Sequence, residues 1–119
     1  MKDSNIIKDK SYSFSIRIVK LYQYLLAEKN EYVLGKQVLR SGTAICALVR
    51  ESEFAQSKKD FIHKLHIALK EASETEYWLS LLHDTCYINK SMFISIQPEI
   101  EEIIKILISI IKTAKKSLH

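Results

Sequence analysis

This chain is predicted to be all-α, an antiparallel up-and-down four-helix bundle, and three observations carry that prediction. Two Gly and one Pro among 119 residues are far too few for a turn-rich β architecture, whereas long helices joined by short loops need almost none. Apolar residues recur at alternating steps of four and three along most of the chain, the period of helices with one buried face. Polar breaks divide that pattern into four segments. The composition, 47% apolar and 27% charged, is that of a globular protein, and the length holds one core and a single domain over residues 1–119.

The first helix is expected over residues 12–29, where Phe14, Ile18, Leu21 and Leu25 form a stripe with Val19, Tyr22 and Leu26 beside it. Asn30 and Glu31 break the pattern. A second helix, from about Leu34 to Phe54, carries Val38, Gly42, Ile45 and Val49. Gly35 and Gly42 each cost such a helix roughly 1 kcal/mol relative to Ala, a cost best explained at Gly42 by another helix passing close by. Ser57-Lys58-Lys59-Asp60 reads as the start of a third helix: the Ser hydroxyl can accept from an orphan backbone N–H, and Asp60 complements the dipole in the first turn. Phe61, Leu65, Ala68, Ala72, Thr75, Leu79, Leu82 and Cys86 then follow at steps of four and three, a stripe that demands partner helices along its whole length.

After a connection at residues 84–90, Ser91 is the expected cap of a fourth helix ending near Lys116. Its stripe is Ile100, Ile104, Leu107, Ile111, Ala114 and Leu118. Pro98 either kinks this helix or opens a shorter one; the continuous, kinked helix is the favoured reading. Ile106 and Ile108 flank Leu107 by about 100° on either side, and Tyr77, Trp78 and Leu81 flank the third stripe. These five surplus hydrophobic residues are the candidate oligomer interface, since a monomer would expose them as an apolar patch.

No run approaches the roughly 20 apolar residues that span a bilayer, and the charged N-terminal residues lack a signal peptide's apolar centre. A cytoplasmic protein with no membrane partner is expected. Cys46 and Cys86 lie 40 residues apart without metal-ligand spacing, which reads as two buried, reduced thiols.

The pieces Gln37 with Arg40-Ser41-Gly42-Thr43 and Ile45, Val49-Arg50-Glu51, Ser57-Lys58-Lys59-Asp60-Phe61, Ile67-Ala68-Leu69-Lys70-Glu71-Ala72 and Glu74-Thr75-Glu76-Tyr77-Trp78-Leu79 occur together in this order. In these motifs the chain resembles the four helix bundle proteins associated with intervening sequences in 23S rRNA genes, the S23 family. The resemblance implies an up-and-down bundle assembled into a ring-like homopentamer. The accessory variability proteins of diversity-generating retroelements are similar and imply a basic surface that engages RNA and a reverse transcriptase. The family name brings no settled biochemical activity. Leu48 stands where members often carry Asn, so no role for that amide carries over to this chain.

The net charge of +4 is uneven: residues 1–70 hold 13 Lys/Arg against 7 Asp/Glu, whereas residues 71–119 hold 5 against 7. A concentrated positive surface attracts phosphate backbones by counterion release and steering. Lys36, Arg40, Arg50, Lys58, Lys59, Lys64 and Lys70 are therefore the candidate nucleic-acid-binding residues. The competing reading is a solvated charged face, with Arg50 paired to Glu51 or Glu53 and Lys70 to Glu74. Tyr77, Trp78 and Tyr87 read as packing residues first and as stacking platforms for bases second.

Enzyme chemistry finds little support. Gly35 and Gly42 belong to no phosphate-binding loop, and Glu51, Glu53, Glu71, Glu74 and Glu76 follow a surface-helix pattern with no pocket to separate their pKa values. Asp60, His63 and His66 share a helical turn, yet neither the HExxH nor the ExxH pattern is present. They read as structural or surface residues, as do His83 and His119, and no metal or cofactor is expected. A non-enzymatic oligomer that contacts RNA or a ribonucleoprotein is the expected function; the alternative is an oligomeric protein-interaction scaffold. No small-molecule substrate is evident.

Overall fold

The computed structural model describes residues 2–118, and side chains from residue 5 onward. The described chain forms four helices: α1 (Lys2–Lys29), α2 (Val33–Ser52), α3 (Lys58–Asp84) and α4 (Lys90–Lys116). Each packs on its neighbours in sequence, and α1 closes the ring against α4. The result is an up-and-down bundle, 50 × 22 × 19 Å. All four stripes converge on one core, whose largest fully buried side chains include Phe14, Ile18, Leu25, Ile45, Leu65, Leu79, Leu82, Ile100 and Leu107.

Helix α1 begins ten residues before the expected residue 12. Ile7 and Ser11 are buried and extend the stripe backwards, so that 7, 11, 14, 18, 21 and 25 keep the four-and-three step. The polar Ser11 hides this continuity, but its hydroxyl donates to the Lys8 carbonyl at 3.2 Å and so leaves nothing unsatisfied. Lys8 and Lys10 hold the extension in place through Glu53, just past the end of α2, at 3.0 Å and Glu102 of α4 at 2.9 Å.

The connections are short because each is closed by local hydrogen bonds. Asn30 adopts φ 51°, a left-handed conformation that Asn tolerates. This brings the Glu31 N–H to the Leu25 carbonyl at 2.9 Å, and the Glu31 carboxylate then accepts from the Leu34 N–H at 2.6 Å. Ser57 caps α3 as expected, accepting from Asp60 N–H at 3.0 Å. At the α3–α4 turn Cys86 takes φ 68°, and Tyr87 N–H reaches the Leu82 carbonyl at 2.9 Å. Asn89, rather than Ser91, caps α4 by accepting from Met92 N–H at 2.9 Å.

Two expectations for the stripes are corrected. Cys86 lies beyond the end of α3 and is exposed; only Cys46 is a buried thiol, and both are free. On α3, Ile62 is buried while Phe61 is half-buried, and on α4 Ile103 is buried while Ile104 is half-buried and Leu118 exposed. Helix α4 is continuous through Pro98. The ring removes the donor for the Ile94 carbonyl, but Ile94 and Pro98 are both exposed, where water can serve that carbonyl.

Gly42 sets how closely α1 and α2 approach. A Cβ at this position would lie 2.8 Å from Ile18 Cγ1 and 2.9 Å from Cγ2, inside van der Waals contact. Ile18 is fully buried and branched next to its own backbone, so it has nowhere to move. Gly42→Ala is therefore expected to lower stability by about 1–2 kcal/mol, because overpacking outweighs the gain in helix propensity of about 1 kcal/mol. Denaturant midpoints of Gly42→Ala, Ile18→Ala and the double variant check this: the double variant should be less destabilised than the sum of the two singles.

Candidate nucleic-acid interface

The bundle topology sorts the basic candidates by what surrounds them. Arg40 projects from α2 across the seam to α3, where Nη1 lies 3.3 Å from Glu71 Oε1 and Nη2 bonds Glu74 Oε1. Trp78 Nε1 donates to the same Glu74 oxygen at 3.1 Å. These bonds to Trp78 and Arg40 hold the Glu74 carboxyl below its usual range, and the Glu74 bond in turn raises the Arg40 guanidinium. Beneath this clasp, Thr75 Oγ1 lies 2.8 Å from both Ser41 Oγ and the Glu71 carbonyl, with Ser41 and Thr75 fully buried. A hydroxyl has one proton, so both contacts are satisfied when Thr75 donates to the carbonyl and Ser41 donates to Thr75.

Arg40 is thus charge-compensated by two carboxylates. Lys64 is similarly placed, 3.3 Å from Glu51. Arg50 pairs with neither Glu51 nor Glu53, whose partners are Lys64 and Lys8; its guanidinium sits 5.0 Å from the centroid of the Tyr12 ring on α1, within cation–π range. Lys70 forms no ion pair with Glu74, because Glu74 turns to Arg40. Lys36, Lys59 and Lys70 are exposed, with no carboxylate at ion-pair distance among the described residues.

Lys58 reveals the larger grouping. Its Nζ donates to Ser117 Oγ at 2.6 Å, which brings the start of α3 beside the end of α4. The up-and-down order therefore gathers Lys58 and Lys59 with Lys112, Lys115 and Lys116 at one end of the bundle, near Arg50 in the last turn of α2. The last three lysines escape a count taken along the chain, because the second half is acidic overall. Summing charge by bundle end, given alternating helix directions, would have found them.

Among the interface candidates, Trp78 and Ile106 pack against the bundle core and Leu81 is half-buried. Tyr77 is 57% exposed and Ile108 38%. A further exposed set, Tyr12, Ile16 and Val19, follows four-and-three spacing on the outer face of α1. The Tyr77 and Trp78 rings meet edge to face at 4.9 Å.

Asp60 serves its local turn: its Oδ2 accepts from the Gln56 N–H at 3.2 Å, and His63 and His66 are exposed. No cluster of three metal-capable side chains occurs among the described residues; His119 lies outside them. No described helix is long and apolar enough to cross a membrane.

A family model described as 23S rRNA-intervening sequence protein matches residues 3–109. The chain belongs to this family. It is also similar to a solved structure from Bacteroides thetaiotaomicron VPI-5482, described as a protein with unknown function from the S23 ribosomal protein family. Identity is 57%, the match covers 92% of this chain and 98% of that one, and the TM-score is 0.91. No curated protein matches. Two of the five motifs that carry the family resemblance, Arg40-Ser41-Gly42-Thr43 and Glu74-Thr75-Glu76-Tyr77-Trp78, contribute residues that meet across the α2–α3 seam.

The seam has a pH signature. Because the fold depresses the Glu74 carboxyl, its contribution is fully present above the unfolded value of 4.5 and is lost as pH falls through the lower folded value. Glu74→Gln should cost less than about 1 kcal/mol near neutral pH, as suits a partly exposed pair. Urea midpoints compared between about pH 7 and pH 3 should show the difference from the unmodified chain shrinking at the acid end.

Proposed function

We propose that the protein is a non-enzymatic homo-oligomeric accessory that engages the phosphate backbone of RNA, free or within a ribonucleoprotein, through the basic end of its bundle. The observation that carries this reading is the contact between Lys58 and Ser117, which joins the lysines of α3 and α4 into one surface. Acids at that end are largely committed elsewhere: Glu53 to Lys8, Glu51 to Lys64, and Asp60 to the Gln56 N–H. Oligomerisation would repeat the surface around the assembly and strengthen its field. A pentamer is the assembly that the family resemblance favours. The family description, which concerns 23S rRNA intervening sequences, supports an RNA connection without specifying a role.

A second reading, an oligomeric scaffold for a protein partner, draws on the exposed Tyr12, Ile16, Val19, Tyr77 and Ile108 side chains. Binding to structured RNA separates the two. Anisotropy titrations at several salt concentrations should show affinity falling linearly on a log–log plot. Lys58→Ala, Lys59→Ala, Lys115→Ala and Lys116→Ala together should flatten that slope by roughly 0.7–0.9 for each phosphate that is no longer neutralised. Absence of binding at low salt would remove the RNA reading and leave the scaffold.

A further inference from the structure

The end of the bundle opposite the basic lysines holds a groove that the RNA reading above does not use. Between α1 and the start of α4 lies a cleft of about 480 Å3, within the size range of small-molecule sites. Its floor is Leu21, Ile88 and Ile96, and Ser91 and Ser95 supply hydroxyls. A second hollow of about 320 Å3, beside the α3–α4 turn, shares Tyr24 and Ile88 with the first. Tyr24 and Tyr87 are half-buried, packed on the core at one side and open at the other.

The charge of this groove is one-sided. Arg17 and Lys20 line the first hollow, Lys29 and Lys90 the second, and no carboxylate among the described residues lines either. Arg17 is compensated by Glu99 and anchored to the Ser95 carbonyl at 2.9 Å. Lys20, Lys29 and Lys90 have no ion-pair partner among the described residues. An occupant that matches these features has a flat apolar face for the tyrosines, a polar edge for the serine hydroxyls and a negative charge for the lysines. An unpaired nucleotide has all three, since any base offers a π-face and its phosphate the charge. The Ser95 hydroxyl already accepts from Arg17 Nη2 at 2.8 Å; a fatty acid would match the floor and the lysines but leave the Ser91 hydroxyl and the aromatic faces without a counterpart.

We infer that the Tyr24 groove is a nucleotide-binding site, taking an unpaired base and its phosphate; that the nucleotide belongs to RNA rests on the function proposed above. The site lies at the far end of the molecule from Lys58 and Lys115, so the two surfaces are separable by experiment.

Amide spectra of the 15N-labelled full chain, titrated with adenosine 5′-monophosphate, test the inference. Expected are shifts at Tyr24, Tyr87 and the first two turns of α4, and weaker binding of adenosine, which lacks the phosphate. Lys20→Glu with Lys90→Glu, both exposed positions, should weaken binding of the monophosphate by roughly tenfold or more while the spectrum stays folded. The inference is overturned if the monophosphate produces no saturable shifts, if shifts map to the Lys58–Lys116 end, or if laurate binds the groove and the monophosphate does not. Saturable binding of the monophosphate in the groove by a protein that ignores structured RNA would support the site and sink only the RNA reading.

Discussion

The close approach of α1 and α2 at Gly42 is the constraint from which the rest of the bundle follows. Ile18 sits where a side chain on residue 42 would otherwise be, so the two helices pack backbone against side chain along their middle turns. That spacing fixes the face of α2 that is left for α3, and on that face Ser41 and Arg40 meet Thr75, Glu71 and Glu74. A buried hydroxyl pair is more selective than an apolar contact, because sliding α3 by one turn would take Thr75 away from the Ser41 hydroxyl and leave Thr75 only the Glu71 carbonyl of its own helix. Apolar stripes gather the helices, and the Ser41–Thr75 contact selects their register.

The fold was legible because its signal is repetitive. Phe14 to Leu25, Val38 to Val49 and Leu65 to Leu82 each repeat one step often enough to outweigh isolated exceptions. What escaped was local or non-repetitive. Ser11 masked the start of α1, since a buried serine looks like a surface residue until its hydroxyl is seen folded back on Lys8. Cys86 kept the heptad step but not the helix, because the left-handed turn that ends α3 depends on closure to Leu82, which no stripe encodes. Asn89 and Ser91 are both competent caps, and only the position of the turn chooses between them.

The candidate surface was less legible than the fold, for a geometric reason. Lysines are as common on solvated faces as on phosphate-binding ones, and what separates them is the position of nearby acids. Arg40 and Lys64 have carboxylate partners from other helices, 31 and 13 residues away in the chain. Arg50 lies over a ring 38 positions upstream, a partner that charge patterning does not weigh. The lysines of α4 become relevant only when the two ends of the bundle are distinguished. The motif residues have structural work to do: Arg40, Ser41, Glu74, Thr75 and Trp78 hold the α2–α3 seam together, and Gly42 lets α1 approach α2.

That seam contains the chain's only tryptophan. The Trp78 indole is half-buried, its N–H is held by Glu74, and Glu74 is held in turn by Arg40 of the neighbouring helix. Indole emission depends on solvent exposure and on charge close to the ring, so separation of α2 from α3 alters it even while every helix remains intact. The protein therefore carries a native optical reporter for the parting of these two helices, distinct from circular dichroism, which registers only the loss of helix itself.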